Sequence, residues 1–323
     1  MGRGWESVKA IVVRAFGGPE ELRLEEWPEP SAGPGEVVVA LAAVGVNPVD
    51  AYIRSGAYAN LPTLPYVPGT DGAGSVRAVG EGVQRLRVGD RVYVHAQGGA
   101  YAEAVAVPEA RAWALPAAVE FEQGAAIGVP YLTAQRALFR VGHARAGEWC
   151  LVRGASGGVG VAAVQFASAL GMRVIATAST DAGRRRALAD GAVAAFGHED
   201  DVAIRDTTGG RGVDLILEMA AHQSLAADLG LVAAEGRVVV IGSRGPIEIN
   251  PRALMQSEAS VTGVMLHRAG PEDLLAGHAA IGEGLRSGRL RPAVDRTWPL
   301  GHAPAAHEAV LQGGKVGKIV LLP

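Results

Sequence analysis

One cysteine stands in 323 residues. Cys150 alone closes no disulfide within the chain, and a thiolate-rich zinc site cannot be built from it. Lysine is nearly missing as well: Lys9, Lys315 and Lys318 are the only ones, so arginine carries most of the positive charge. No block of like charges occurs and the net charge is −3, which argues against a nucleic acid or an acidic membrane surface as the main partner. Aromatic residues make up 5%, leaving Ala, Val, Leu and Ile to build the core. No window has the length and apolarity of a membrane span. The opening segment "MGRGWESVKAIVVRAFGG" lacks the apolar run of a signal peptide, so a cytoplasmic protein is expected. Histidines do not cluster; the closest pair, His302 and His307, is spaced by five, which does not bring two side chains onto one helix face. No metal site is expected.

What is present is a chain with 49% hydrophobic and 20% charged residues, enough for packed cores and long enough for two domains. The first third reads as short strands separated by turn residues: "VKAIVVRAF", "GEVVVALAAVGV", "GAGSVRAVG", "GDRVYVHA" and "AYAEAVAVP". These strands are too closely spaced for helical crossovers. "PYLTAQRALFRVG" (Pro130 to Gly142) predicts a helix, with proline near its start and a closing glycine. Alternation follows. Strands are expected at 149–153, 173–177, 192–196, 213–219 and 237–242, and helices at 158–170, 181–190, 200–207 and 223–234. Strands such as "VDLILEM" are near-continuous apolar runs, which suits a parallel sheet covered on both faces. A sixth strand is expected at 259–266, then a helix in "GPEDLLAGHAAIGEGLRSG", another at 303–311, and a terminal strand in "GKIVLLP".

The chemistry begins at "GASGGVG", between a predicted strand ending near Arg153 and a predicted helix from Gly158. That placement is what a dinucleotide-binding turn requires. Gly157 lets the backbone approach a pyrophosphate, Gly160 lets the helix pack close, and free N–H groups at the helix start favour phosphate charge. Ala155 takes the place of the usual first glycine. About two dozen residues on, where NAD enzymes carry an acidic residue for the ribose 2′-hydroxyl, stands Ser179, followed by Arg184, Arg185 and Arg186. A short hydroxyl with arginine suits a 2′-phosphate and favours NADPH. Asp181 works against that reading, and a solvated helix face is the lesser alternative for the arginines.

Further segments complete a pattern: "FGGPEEL", "GVNPVDAYIRSGAY", "LPYVPGTDGAG", "GAAIGVPYLTAQRAL", "GASGGVGVAAVQ", "GRVVVIGSRGPIEINPR" and "GKIVLLP". In this order and over nearly the whole length, the chain resembles the medium-chain dehydrogenase/reductases, and within them the zinc-free quinone oxidoreductases of the zeta-crystallin type. The resemblance implies an α/β fold: a Rossmann doubly wound parallel sheet (126–266) plus a β-rich GroES-like catalytic domain (1–125 and 267–323), with cofactor and substrate sharing the cleft. Zinc-dependent relatives place a cysteine in the segment aligned with "VGVNPVD" and a His-Glu pair in that aligned with "PGTDGAG"; here stand Asn47 and Asp50, then Thr70 and Asp71. Without a Lewis acid, a quinone or an activated C=C bond remains as hydride acceptor, since either carries its own electron sink.

The same resemblance assigns site residues. Asn47 and Asp50 would hydrogen-bond around the nicotinamide end, though Asn-Pro and Asp are also ordinary turn chemistry before a helix. Tyr52 would lie beside the nicotinamide and Tyr58 at the substrate mouth, with aromatic packing as the alternative for both. Thr133 resembles the contact to the nicotinamide amide. Ser156, Gly157, Gly158 and Val159 would hold the pyrophosphate; Ser179 and His198 would meet the adenosine half, beside the Arg184 already read as a 2′-phosphate partner, although His198 alone reads as a surface histidine. Ser224 stands where the family has Asn, which puts that contact in doubt. Ile241, Gly242, Ser243 and Arg244 would line the nicotinamide ribose. Val264, Met265 and Leu266 match a cofactor-lining segment but read also as core. Cys150 is expected to be inert. The activity implied is NADPH-dependent quinone reduction without zinc, with 2-alkenal or enoyl reduction as the enzymatic alternative and an RNA-binding or structural crystallin-like role as the non-enzymatic one. A homodimer, or a homotetramer, is expected through the edge strand of the Rossmann sheet.

Overall fold

A computed structural model describes residues 7–323. Two compact units organise them: one comprises the chain up to Val129 with Pro292–Gly313 and Gly317–Pro323, the other Pro130–Arg291 with Gly314–Val316. The boundaries expected at 125/126 and 266/267 therefore fall at 129/130 and 291/292. The second displacement has a physical cause. The helix at Pro271–Arg286 is tied to the parallel-sheet unit by an Asp273–Arg136 ion pair, and its Gly277 packs so closely on Leu132 that a Cβ would lie 2.8 Å from that side chain. Arg291 and Gln165 then exchange two hydrogen bonds of 2.9 and 3.0 Å.

The first unit opens with β1 (Ser7–Val12), β2 (Arg23–Pro28) and β3 (Glu36–Val46), followed by the short helix α1 (Pro48–Arg54). Next come β4 (Asp71–Val79), β5 (Arg91–His95), β6 (Ala104–Pro108), β7 (Ala112–Ala114) and one turn of helix, α2 (Phe121–Gly124). Strand β3 is eleven residues long and mostly buried, because β4, β6 and a C-terminal strand all pair with it.

The chain then enters the second unit through α3 (Gly128–Gln135), which runs into a π-helical turn at Arg136–Val141. Its elements are β8 (Trp149–Val152), α4 (Gly158–Leu170), β9 (Arg173–Thr177), α5 (Asp181–Ala189), β10 (Ala194–Phe196) and α6 (Asp201–Thr207). They continue with β11 (Val213–Glu218), α7 (Ala221–Leu231), β12 (Val232–Val240), α8 (Pro251–Ser257), β13 (Ser260–Gly263) and α9 (Pro271–Arg286). The six strands form one parallel sheet in the order β10-β9-β8-β11-β12-β13. That is the doubly wound order, and its reversal between β8 and β11 makes a crevice at the carboxyl ends of those strands. Leu151, Ile175, Leu215 and Ile216 are wholly buried, as continuous apolar strands between helical layers require.

The tail returns to the first unit with β14 (Val294–Pro299), α10 (Ala303–Leu311) and β15 (Lys318–Leu322). The larger sheet there runs β14-β15-β3-β4-β5-β7, with β6 also on β3. Its core gathers Ile11, Val37, Val39, Val94, Tyr101 and Leu321.

Several expectations shift; the strand expected at 237–242, for one, spans Val232–Val240. The helix expected at 223–234 ends at Leu231, because the chain already joins the sheet at Val232, opposite Val213, and then bulges through Glu235 (φ 57°) before Arg237 meets Leu215. The sixth strand shortens from 259–266 to Ser260–Gly263, so Val264, Met265 and Leu266 follow the strand instead of lying in it. Strands β2, β7 and β14 and helix α8 are not anticipated by the pattern; β2 and β14 are half exposed and carry charged residues, which hides their alternation.

Candidate cofactor and active site

The glycine turn joins β8 to α4. Gly154 adopts φ 66° and makes the left-handed step itself, which is why the next position tolerates Ala155. A Cβ at Gly160 would lie 2.3 Å from the Gly154 carbonyl oxygen and 2.6 Å from Ala155 Cα, so α4 starts in direct contact with the turn. At Gly157, the N-cap of α4, the nearest atom to a Cβ is 3.7 Å away. The protein leaves room there, and the first N–H groups of a helix have no intrahelical acceptor. An open cradle of donors at the positive end of a thirteen-residue helix fits a pyrophosphate.

Around this turn the expected adenosine residues assemble. Thr177 ends β9 and accepts Gly154 N–H at 3.4 Å, and its hydroxyl lies 3.0 Å from His198 Nδ1. Burial first, then the charges of Arg153 and Arg184, hold His198 below its ordinary pKa, so it is neutral at physiological pH. Ser179 is exposed directly after β9, and Thr180 caps α5 by accepting Gly183 N–H at 3.1 Å. Arg184 donates to the Ala178 carbonyl at 3.0 Å and pairs with Asp181. A 2′-phosphate at Ser179 must therefore draw Arg184 from Asp181. Sequence reasoning missed a neighbouring segment: Gly314–Val316 belongs to this unit, and a Cβ at Gly314 would stand 3.5 Å from Thr180 Cγ2. Lys315 thus follows a residue that touches the α5 cap; its sequence distance from Ser179 conceals this.

Ile241 and Gly242 continue from β12, with Ile241 N–H donating to the Glu218 carbonyl at 2.8 Å. Gly242 must be small, since a Cβ there would lie 2.4 Å from the Met219 oxygen. Ser243 and Arg244 are exposed after it, and Arg244 N–H donates to His222 Nδ1 at 3.1 Å. Thr133 is buried on α3. Val264, Met265 and Leu266 follow the sheet's edge strand, three strands from β8. Two surface grooves lie at the opposite, amino-terminal strand ends, where Arg211 pairs with Asp214, Arg237 with Glu148, and Arg173 stacks on Trp149. Cys150 is wholly buried, and burial pushes its thiol up to about 12, as an inert core thiol requires.

In the first unit, strand register builds a buried polar cluster. Gly45 pairs with Asp71, Asp71 with His95, and Val46 with Ile319, so Asn47, Asp71, His95 and Lys318 meet at one end of four adjacent strands. Asn47 is the N-cap of α1 and only 3% exposed; its Nδ2 donates to Asp71 Oδ2 at 2.9 Å. Lys318 Nζ donates to Asn47 Oδ1 and, at 2.8 Å, to Asp71 Oδ2. Asp71 Oδ1 accepts Val129 N–H at 2.8 Å and lies 3.7 Å from His95 Nδ1. Burial works to raise the Asp71 carboxyl, but the Lys318 ammonium and His95 outweigh it and hold it at about 2.

Asp50 accepts Asn47 N–H at 2.8 Å and lies 3.1 Å from the Tyr101 hydroxyl, which in turn lies 3.1 Å from His307 Nε2. Burial first, with Asp71 adding to it against Asn47 N–H, Lys318 and Tyr101, raises the Asp50 carboxyl to about 7. Burial, then Arg54, depresses His307 to about 3. Asn47 and Asp50, expected to bond around a nicotinamide, also hydrogen-bond inside their own unit, where Asp50 holds the first turn of α1 through Asn47 N–H. That helix presents Tyr52, half buried, and the loop after it presents Tyr58, also half buried, whose hydroxyl burial raises.

The cluster also bears on whether zinc fits here. Asn47 and Asp71 stand in the segments where zinc-dependent relatives place ligands, and an ammonium already occupies the space between them. Both accept from Lys318, and a buried cation excludes a second one at hydrogen-bond distance. The residues present do not fit a zinc ion. Among the described residues no group of three or more His, Cys, Asp or Glu is placed to hold a metal, and no helix is long and apolar enough to cross a membrane.

Comparison with known proteins agrees with this architecture. Residues 33–117 match the alcohol dehydrogenase GroES-like domain, and residues 158–278 match the zinc-binding dehydrogenase family. The quinone oxidoreductase of Lama guanicoe is 44% identical over 328 residues, covering 100% of this chain and 99% of that protein. The human quinone oxidoreductase is 42% identical over 328 residues, covering all of both. The Escherichia coli quinone oxidoreductase, solved in complex with NADPH, superposes with a TM-score of 0.85 at 30% identity, over 98% of this chain and 99% of that one. With these matches spanning its whole length, the chain belongs to the quinone oxidoreductase family of the medium-chain dehydrogenase/reductase superfamily.

Proposed function

We propose that this protein is an NADPH-dependent quinone reductase that works without a metal ion. The observation that carries the reading is the Lys318 ammonium lodged between Asn47 and Asp71, in a chain otherwise alike, end to end, to proteins named quinone oxidoreductases. NADPH supplies a hydride when bound. The turn from Ser156 to Val159 holds its pyrophosphate, Gly157 by its small size because its N–H donates to the Gly154 carbonyl at 3.2 Å, and Ser179, Arg184 and Lys315 receive the 2′-phosphate. Ile241 to Arg244 flank the ribose, and Thr133 and the backbone of Val264 to Leu266 complete the binding segments. Tyr52 and Tyr58 hold a flat acceptor. A quinone needs no fixed acid, because its oxygens take protons from water once the electrons have arrived. Strand β13 leaves one side unpaired in the sheet order, and a second copy of the chain pairing there would cover it, which supports a homodimer.

Purified protein should oxidise NADPH faster with 1,4-naphthoquinone than with a 2-alkenal, at a rate unchanged by EDTA. Tyr52→Phe should cost quinone turnover about tenfold at most, the value of one neutral hydrogen bond, and cost alkenal reduction more. One tightly bound zinc per chain, or alkenal rates above quinone rates, would refute the reading.

Cofactor choice has its own test. Ser179→Asp should narrow or reverse the preference for NADPH over NADH, mainly in KM, by repelling the 2′-phosphate and offering the ribose a carboxylate. Equal efficiency of the two cofactors with the unaltered protein would count against the assignment of Ser179, Arg184 and Lys315.

A further inference from the structure

Three charged side chains meet where the parallel sheet reverses its order. Arg153 follows β8, Glu218 ends β11, and Asp228 comes from α7. They are 2%, 0% and 0% exposed, in the crevice end of the sheet and directly beneath the glycine turn. Arg153 spends its guanidinium fully: Nε on Asp228 Oδ1 at 2.9 Å, one terminal nitrogen on the His198 carbonyl at 2.8 Å, the other on Asp201 Oδ1 at 2.9 Å. Its own N–H donates to the Leu217 carbonyl at 3.0 Å, which locks the residue before the turn to the residue before Glu218. Glu218 Oε1 accepts Ala220 N–H. Two carboxylate oxygens remain without a donor, Glu218 Oε2 and Asp228 Oδ2, both buried. Their side chains lie within hydrogen-bonding reach of each other. Two ionised carboxylates would leave both oxygens unsatisfied and repelling, with one arginine against three acids. A single proton placed between them satisfies both.

We propose that Glu218 and Asp228 share one proton at the switch point of the sheet, and that this pair positions Arg153, and through it the glycine turn and the His198 loop, so that NADPH affinity falls when the proton is lost. The inference rests on the reading that NADPH binds at this turn. Burial first, then Asp228, raises the Glu218 carboxyl to about 8, and Asp228 is raised as well. The groups facing the pair are Arg153, Asp201 on α6, and, across Arg153, His198 with its neighbours Glu199 and Arg184. His198 stays neutral throughout the relevant range, since its pKa is lowered. The sign follows. A carboxyl raised in the folded state holds its proton below about 8, and the stability and geometry that depend on it are lost as pH rises through that value.

The test titrates NADPH against the protein by its fluorescence between about pH 7.5 and 9.5, above the last ionisation of the 2′-phosphate. The Kd of the unaltered protein should rise by about tenfold, a usual size for coupling between two sites. Glu218→Gln should show little rise, because its amide donates to Asp228, still accepts Ala220 N–H, and has no proton to lose. Asp228→Asn, which keeps an acceptor for Arg153 and gains a donor for Glu218, should behave alike. Equal slopes in the three proteins, or a flat unaltered protein, would overturn the proposal. Thermal unfolding without cofactor separates it from the functional reading. The Tm of Glu218→Gln should gain on the unaltered protein as pH rises from about 6 to 9. If NADPH binds none of the proteins, the functional reading fails and the melts decide the shared proton: parallel curves of Tm against pH refute it.

Discussion

Lys318→Met should destabilise the first unit by about 3–5 kcal/mol at neutral pH, the range for breaking a buried ion pair by removing one partner. Methionine fills much of the lysine stem but leaves Asp71 wholly buried with Asn47 Nδ2 and Val129 N–H as donors and no cation in hydrogen-bond contact. The cost is not the attraction lost; it is the desolvated carboxylate left behind. Two consequences distinguish this account from plain packing damage. Adding Asp71→Asn to Lys318→Met should restore much of the loss, since the uncompensated charge then disappears. The loss should also shrink as pH falls. With Lys318 present, Asp71 is held at about 2, so the pair contributes stability above the unfolded carboxylate range, and that contribution fades as pH drops through the folded value. Urea midpoints for the two single variants and the double variant, taken at neutral and at acid pH, check both. A Lys318→Met protein that unfolds at the original midpoint, or a double variant no more stable than the single one, would show that Asp71 finds relief elsewhere.

That cluster was not legible in the chain. Asn47, Asp71 and Lys318 come together because β15 pairs with β3 and β3 with β4 in particular registers. Nothing local in "GVNPVD" or "GKIVLLP" announces the meeting, and Asn47 and Asp50 read as helix-start chemistry or as cofactor contacts. Both stand at the start of α1, yet the Asn47 side chain also accepts from a lysine far away in sequence, and that of Asp50 meets Tyr101. Tyr101 and His307 were invisible for the same reason. The parallel-sheet unit was more legible because its signals are local. Helix α4 and strand β9 begin and end where apolar runs, caps and closing glycines place them. Even there, charges inside apolar strands were passed over. Arg153 closes "LVR" and Glu218 closes "LILE", and a charge at the end of a buried strand signals either a partner or a function. Lys315 escaped notice because it enters its unit from the far end of the chain.

The glycine turn permits a sharper test of where the cofactor lies, because two of its glycines are small for different reasons. At Gly160 the obstacle is the protein. A Cβ would lie 2.3 Å from the Gly154 oxygen and 2.6 Å from Ala155 Cα, and neither is a side chain that can swing away. Gly160→Ala must push α4 off the turn, costing roughly 1–3 kcal/mol of stability as overpacking does and weakening NADPH through displaced donors. At Gly157 nothing in the protein stands closer than 3.7 Å to a Cβ, and the backbone there (φ −74°, ψ 170°) is one that any residue adopts. Gly157→Ala should therefore cost within about 1 kcal/mol of stability, the value of a weaker N-cap. Its methyl nevertheless stands where a pyrophosphate must approach the backbone. Losing one or two charge-assisted hydrogen bonds, at about 1.5–3 kcal/mol each, should weaken NADPH on the order of a hundredfold. Melting temperature and NADPH affinity, measured on both variants, should thus separate: Gly160→Ala falls in both, Gly157→Ala in affinity alone. A Gly157→Ala protein that binds NADPH as tightly as the unaltered one would place the pyrophosphate elsewhere than on this turn.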